Sequence, residues 1–218
     1  VVVSTRVVLG LGLAGFGVRI FGMDPTWRRG TSIDGSPTTL VDTFLRWDAD
    51  LFAKVGKVGY AASDRDATSF FPVYPQLCHA LASLTPLTYE QAALIVSWTG
   101  FFFATWALVA LVRTLWPERD GARAAVLLAW WPGSVFLLGG YSEATFLAIA
   151  GWFCVALVRG RLLPAALLAA AASGTRPEGV LLGAVLVGWL LWERRGIVRT
   201  VVLGAVSAVG LAAFSAFC

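Results

Sequence analysis

The chain has 218 residues, of which 58% are hydrophobic and only 14% charged, with ten Trp and a mean hydropathy of +0.75. A soluble domain of this size could not hide so much apolar surface from water, so the composition predicts an all-α, polytopic transmembrane protein. The net charge of +4 is then read by position and not as a nucleic-acid footprint, and no nucleic-acid partner is expected.

The first apolar run covers about 7–22 and reads as a first span, since no small-residue cleavage pattern follows it before Met23-Asp24-Pro25. Gly10-Leu11-Gly12-Leu13-Ala14-Gly15 within it matches a dinucleotide-binding fingerprint letter for letter. That fingerprint needs a strand before it and a soluble βαβ unit around it, so close packing of membrane helices is the reading adopted. Arg19, near the end of the run, is placed to snorkel to the interface, with a phosphate contact as the alternative. The start at Val1-Val2-Val3 without Met and the stop at Cys218 inside an apolar run suggest the N-terminal part of a longer protein, here a single transmembrane domain over 1–218.

From 22 to 69 the chain turns polar and reads as a large extracytoplasmic loop. Within it Leu40, Phe44, Trp47, Leu51, Phe52 and Val55 recur at three- and four-residue steps, which predicts an amphipathic interfacial helix over Thr39 to Gly56. This helix carries Arg46-Trp47-Asp48-Ala49-Asp50-Leu51-Phe52. In a mostly hydrocarbon chain two acids beside an aromatic anchor mark a place with water and chemistry, such as a proton to remove or a cation to hold. An interfacial helix whose acids merely face solvent accounts for the spacing equally well. Residues two apart on a helix point about 200° away from each other, so one of Asp48 and Asp50 is expected to face the protein and the other water.

Phe70-Phe71-Pro72-Val73-Tyr74-Pro75 opens the next apolar segment as a bent entry. His79, the only histidine, has no metal-binding partners near it, and Cys78, Cys154 and Cys218 read as buried thiols. Further apolar runs follow at about 91–112, 124–140, 142–158, 162–174, 178–192 and 198–217. Those at 162–174 and 178–192 are short for an upright span of roughly 20 residues and read as broken helices facing a cavity.

Charge between the runs sets the orientation. Arg113, Arg119 and Arg123 lie in one connection, Arg159 and Arg161 in a second, and Arg194, Arg195 and Arg199 in a third. If each run crosses once, all three share one side, which the positive-inside rule makes cytoplasmic. The opposite side receives Asp48, Asp50, the turn Tyr141-Ser142-Glu143 and the turn Gly174-Thr175-Arg176-Pro177-Glu178. Glu143 either serves the site or simply complements a helix N-terminus. Arg176 can meet an anion such as a lipid phosphate, or pair with Glu178 or Glu143.

Taken together, Arg46-Trp47-Asp48-Ala49-Asp50-Leu51-Phe52, Gly59-Tyr60, Phe70 to Pro75, Gly140-Tyr141-Ser142-Glu143-Ala144-Thr145-Phe146 and Thr175-Arg176-Pro177-Glu178-Gly179 resemble the PIG-V-type mannosyltransferases, in that order. That family belongs to the GT-C membrane glycosyltransferases and is related to the second mannosyltransferase of GPI-anchor synthesis. The resemblance covers about 44–180. It implies transfer of mannose, with inversion, from a polyprenyl-phosphate-linked donor to an extracytoplasmic glycan, lipid or protein. It also implies a catalytic acid in the first outer loop, where Asp48 matches the Trp-Asp acid and Asp50 the second acid. Glu143 joins them as a catalytic candidate, and Arg176, Arg46, Trp47 and Tyr141 as substrate-binding candidates. Asp48 and Asp50 are the residues that would hold a divalent cation. Leu51 stands where eukaryotic relatives carry His, and the absence of Asn with an Ala, Leu, Arg and Gly bias points to a bacterial plasma membrane. Two other classes stay open: a transporter or flippase for a lipid-linked sugar, which should show internal repeats not found here, and a non-catalytic membrane scaffold.

Overall fold

The computed structural model describes residues 44–45, 48–60 and 69–217, and the first span at 7–22 lies outside them. Among the described residues there are helices and turns and no strands. The helices are α1 (Asp48–Val58), α2 (Val73–Leu84), α3 (Tyr89–Leu115), α4 (Gly121–Trp130), α5 (Glu143–Val158), α6 (Leu162–Ser173), α7 (Val180–Trp192) and α8 (Ile197–Phe217). Short 3-10 turns at Pro132–Leu137 and Pro177–Gly179 precede α5 and α7.

Local chemistry explains where these helices start and stop. Thr88 and Gln91 form a reciprocal capping box at the head of α3, and the Asp120 carboxylate accepts the Ala122 N–H at 2.9 Å to start α4. The apolar run expected at 124–140 is not one helix. Trp131-Pro132-Gly133 ends α4 and opens a 3-10 turn, because Pro132 has no N–H to continue the ladder. Pro164 is accommodated inside the first turn of α6, where no intrahelical donor is lost. Gly160, with φ of +68°, supplies the left-handed residue that turns the chain from α5 into α6.

α3 and α8 are long and apolar enough to cross a membrane. Only 17% and 22% of their most apolar windows are buried, so they are not core helices of a water-soluble domain. Trp98, Phe102, Phe103 and Trp106 form an exposed aromatic side of α3, which requires a solvent other than water. The protein is therefore a helical membrane protein.

The interior of the bundle is built from small residues. Ala165, Ala166, Ala169 and Ala172 of α6 are fully buried, so α6, one of the shortest helices, is the most enclosed. Where membrane helices must touch, small side chains let the backbones approach. Gly100 of α3 lies against the Ala144–Thr145 backbone of α5, where an added Cβ would sit 2.8 Å from the Thr145 nitrogen. A Cβ on Gly210 of α8 would overlap the Ala170 carbonyl oxygen and approach the Gly174 nitrogen to 2.6 Å. Leu157, Leu162, Leu186, Leu190 and Leu203 fill the space around this alanine seam.

The described part of α1 is Asp48–Val58, and Phe44 and Leu45 before it form a turn, so the helix expected over Thr39 to Gly56 is not continuous there; 39–43 and 46–47 lie outside the described residues. The apolar side of α1 is covered by protein and not presented to lipid. Leu45, Ala49 and Phe52 pack with Tyr74, Cys78, Tyr89 and Tyr141 in one buried cluster. The Phe52 ring meets Phe70 and Tyr74 edge-on, and Tyr89 donates its hydroxyl to the Phe52 carbonyl at 2.9 Å. Lys57 at the far end pairs with Glu90.

Backbone approach at Gly210 generates a testable contrast. Gly210→Ala should cost about 1–3 kcal/mol through overpacking against α6, seen as a lower Tm in detergent. Gly188→Ala, where a Cβ meets nothing within 4 Å, should leave Tm unchanged or raise it, by at most about 1 kcal/mol of helix propensity.

Candidate functional site

The helix ends sort into two groups. At one end, Arg159 Nη2 donates to Thr114 Oγ1 at 3.2 Å, which brings the α3–α4 and α5–α6 connections together. Leu162 and Leu163 line a common cavity with Arg195 and Arg199, which adds the α7–α8 connection. The three arginine-bearing connections thus share one end of the bundle.

The turns singled out by sequence gather at the other end. The Val73 N–H donates to the Gly174 carbonyl at 3.0 Å, joining the Phe-Phe-Pro entry to the Thr-Arg-Pro-Glu turn. The Gly140 N–H donates to the Phe44 carbonyl at 2.8 Å, joining the Gly-Tyr-Ser-Glu turn to the segment just before Asp48. Gly140 has no room for a side chain there, because a Cβ would meet Leu45 Cδ2 at 2.6 Å. Phe71 of the entry also packs at a tilt against Phe214 near the end of α8, with ring centroids 4.4 Å apart.

A buried polar relay holds this junction in place. The Tyr74 hydroxyl lies 3.0 Å from Ser97 Oγ, which donates to the Tyr141 carbonyl at 3.1 Å. Ser97, Tyr74 and Tyr141 were not read as a unit in the sequence. The available signal was a lone Ser inside the apolar run of α3, since a hydroxyl at membrane depth needs a partner. Tyr141 itself is buried, with its ring edge-on to Phe136.

Arg176 is the centre of the charged part. Its Nη1 lies 2.7 Å from Glu143 Oε1 and 3.4 Å from the buried Ser142 Oγ, and its Nε lies 3.3 Å from Glu178 Oε2. The sequence left open which carboxylate it meets, and the structure shows both. Burial alone would push the guanidinium down, but the hydrogen bond and charge of Glu143, with those of Glu178, hold it above its ordinary value. Its Nη2 has no partner among the described residues. Glu143 Oε2 and Thr145 Oγ1 are buried and without a hydrogen-bond partner among the described residues. Each such atom costs roughly 1–3 kcal/mol if nothing meets it. The cluster thus offers one free guanidinium edge and one free carboxylate oxygen, a donor and an acceptor side by side.

Asp48 is the first residue of α1 and is exposed, while the adjacent Ala49 is buried beside Gly140. Arg46, Trp47 and the Asp50 side chain lie outside the described residues. No group of three or more His, Cys, Asp or Glu that could hold a metal ion occurs among the described residues, and His79 is exposed.

These features define a helical membrane protein with a charged, partly buried cluster at the end opposite its arginine-rich turns. The chain belongs to the family described as Mannosyltransferase (PIG-V), whose profile matches residues 28–192. It is 33% identical over 183 residues to the GPI alpha-1,6-mannosyltransferase 2 of Cricetulus griseus, covering 79% of this chain and 36% of that protein. The Mus musculus protein of the same name is 34% identical over 171 residues, covering 72% and 34%, and that of Homo sapiens is 33% identical over 165 residues, covering 70% and 32%. The chain thus spans about a third of the length of the curated relatives it matches. No solved structure matches it.

The two arms of the Arg176 fork should separate in stability. Glu143→Gln removes the closer partner of a half-buried cation and should cost on the order of 1 kcal/mol, whereas Glu178→Gln, at the more exposed arm, should stay within about 0.5 kcal/mol. Thermal unfolding of both variants in the same detergent measures the difference.

Proposed function

We propose that this chain carries the catalytic end of a GT-C-type membrane mannosyltransferase that transfers mannose, with inversion, from a polyprenyl-phosphate-linked donor to an extracytoplasmic acceptor. The observation that carries the reading is the Arg176 cluster, with its free Nη2 edge and free Glu143 Oε2, seated beside the segment that leads into Asp48.

Family membership supports the transfer of mannose, and depth supports a lipid-borne donor. α5 and α6 have 16 and 12 residues, so the charged turns lie only about 18–24 Å from the arginine-rich end. A hydrocarbon core is about 30 Å thick, so these turns are sunk within the bilayer, where a polyprenyl phosphate can reach them laterally. In this reading 1–218 is a single polytopic transmembrane domain, 22–69 is its outer loop and the arginine-rich end is cytoplasmic. The chemical composition favours a bacterial plasma membrane.

Inverting transfer needs a base at the acceptor hydroxyl and a cation at the departing phosphate, on opposite faces of the sugar. Asp48, exposed at the head of α1, takes the proton from the acceptor hydroxyl. The acceptor oxygen bonds to the anomeric carbon while the bond from that carbon to the lipid phosphate oxygen breaks, and the phosphate leaves with the electron pair. Arg176 Nη2 meets the phosphate, and Glu143 Oε2 accepts from a sugar hydroxyl. When ionised, Glu143 and Glu178 outweigh Arg176 by one charge, so an incoming phosphate must displace a carboxylate. Glu178, the longer and more exposed arm, is the one that yields. Asp50 orients the acceptor, Trp47 fixes the depth of the helix, and Arg46 and Tyr141 complete the donor pocket.

Two outcomes test this reading. Asp48→Asn in the full-length protein should lower turnover by about 10²–10⁴ while donor binding survives, as for loss of a general base. Activity retained in Asp48→Asn but abolished in Asp50→Asn would exchange the two acids, and activity retained in both removes the base from this helix. Cysteine labelling in intact cells, with native cysteines replaced, should find Ser83→Cys reactive from outside and Arg119→Cys and Arg194→Cys protected. The reverse pattern would place the cluster on the cytoplasmic side and end the extracytoplasmic reading.

A further inference from the structure

A second feature lies at the opposite end of the molecule, where the first turn of α6 and the first turns of α8 part around a cavity of about 630 Å³. Its apolar wall includes Leu162, Leu163, Val202 and Leu203 together with Ile197 and Val198 at the head of α8, and Arg195 and Arg199 are its charged lining residues. Leu162 and Leu203 belong to the buried core, whereas Leu163 and Val202 are 58% and 54% exposed. The cavity is therefore a cleft that runs from the core to the outer surface of the helices. In a bilayer its apolar wall faces acyl chains, and its arginines sit at the level where headgroups begin.

The charges around the cleft are unbalanced. Arg195 Nε is 2.7 Å from Glu193 Oε2, the one carboxylate in the α7–α8 connection. Arg194 in the same connection and Arg199 in the first turn of α8 are exposed and have no ion pair among the described residues. Arg161, immediately before α6, adds a further exposed cation on the other side of the cleft. A phosphodiester with its chain against leucine and valine matches both halves of this surface. Net positive charge here disfavours a headgroup that carries its own cation.

We propose that this cleft binds an anionic phospholipid of the leaflet at the arginine-rich end. Its phosphate is held by Arg195 and Arg199, and the upper part of one acyl chain lies on Leu163 and Val202. The site is separate from the Arg176 cluster, with the 12-residue length of α6, about 18 Å, between them. It would tie the α7–α8 turn to the membrane plane without taking part in sugar transfer.

Native mass spectrometry of the purified full-length protein, titrated with dioleoyl phosphatidylglycerol or dioleoyl phosphatidylcholine, tests the proposal. Phosphatidylglycerol should bind more tightly. Arg199→Gln should weaken its binding about five-fold, and Arg195→Gln with Arg199→Gln about thirty-fold, at the usual worth of a basic side chain near an anionic surface. Leu163→Trp, which fills the cleft without altering charge, should also reduce retention. Arg119→Gln, in the α3–α4 connection outside the cleft, should leave it unchanged. All four positions are exposed, and matching Tm values confirm that the variants fold. Equal affinity for the two lipids, or wild-type phosphatidylglycerol retention in the double arginine variant, overturns the proposal, including the case in which another segment of the full-length protein fills the cleft.

Discussion

A half-buried guanidinium at the end of a short alanine-rich helix is the constraint on which the rest of this structure turns. Arg176 cannot sit beside the bundle without compensation, and its position is fixed by the length of α6 and the tight turn that follows it. Compensation comes from two directions, Glu143 at the head of α5 and Glu178 in the 3-10 turn before α7. The turn can lie so close to α8 only because Gly210 has no side chain. Backbone packing in the membrane part and charge pairing in the turn are thus one problem, solved at one place.

The same junction explains how distant segments come to share a site. The Gly174 carbonyl accepts from Val73, and the Phe44 carbonyl accepts from Gly140, so two turns from opposite halves of the chain are stitched to the approaches of α2 and α1. Ser97, reached by Tyr74 on one side and the Tyr141 carbonyl on the other, satisfies polar groups that lipid could not. Asp48 is then carried to this end of the bundle by the packing of Leu45, Ala49 and Phe52.

Helix positions were legible in the sequence where an apolar run had polar ends. The run read at 142–158 became Glu143–Val158, and that at 162–174 became Leu162–Ser173. It was not legible that 124–140 would break, although Pro132-Gly133 carried the reason. The helix over Thr39 to Gly56 was read from a periodicity in which Phe52 and Val55 prove buried and Phe44 and Leu51 partly so. Such a periodicity marks an apolar side and cannot say whether lipid or residues such as Tyr74 and Tyr89 cover it. Charge position marked Arg176 and Glu143 as candidates, with Glu178 only as a pairing partner, but geometry alone shows which guanidinium edge is left open. The Ser97 relay and the arginine-rimmed cleft depend on contacts between residues tens of positions apart, which no periodicity records.

The central claim is that Arg176 holds the phosphate of a lipid-linked sugar while remaining anchored to Glu143. The most direct measurement is the donor KM for mannosyl transfer from polyprenyl-phosphate-mannose by the full-length protein, compared between Arg176 and Arg176→Lys. A lysine keeps the charge and loses the planar fork that can grip Glu143 and a phosphate at once. The account predicts a donor KM raised on the order of ten-fold with acceptor KM unchanged; an unchanged donor KM would contradict it and leave Arg176 as an ion pair that only holds the turn.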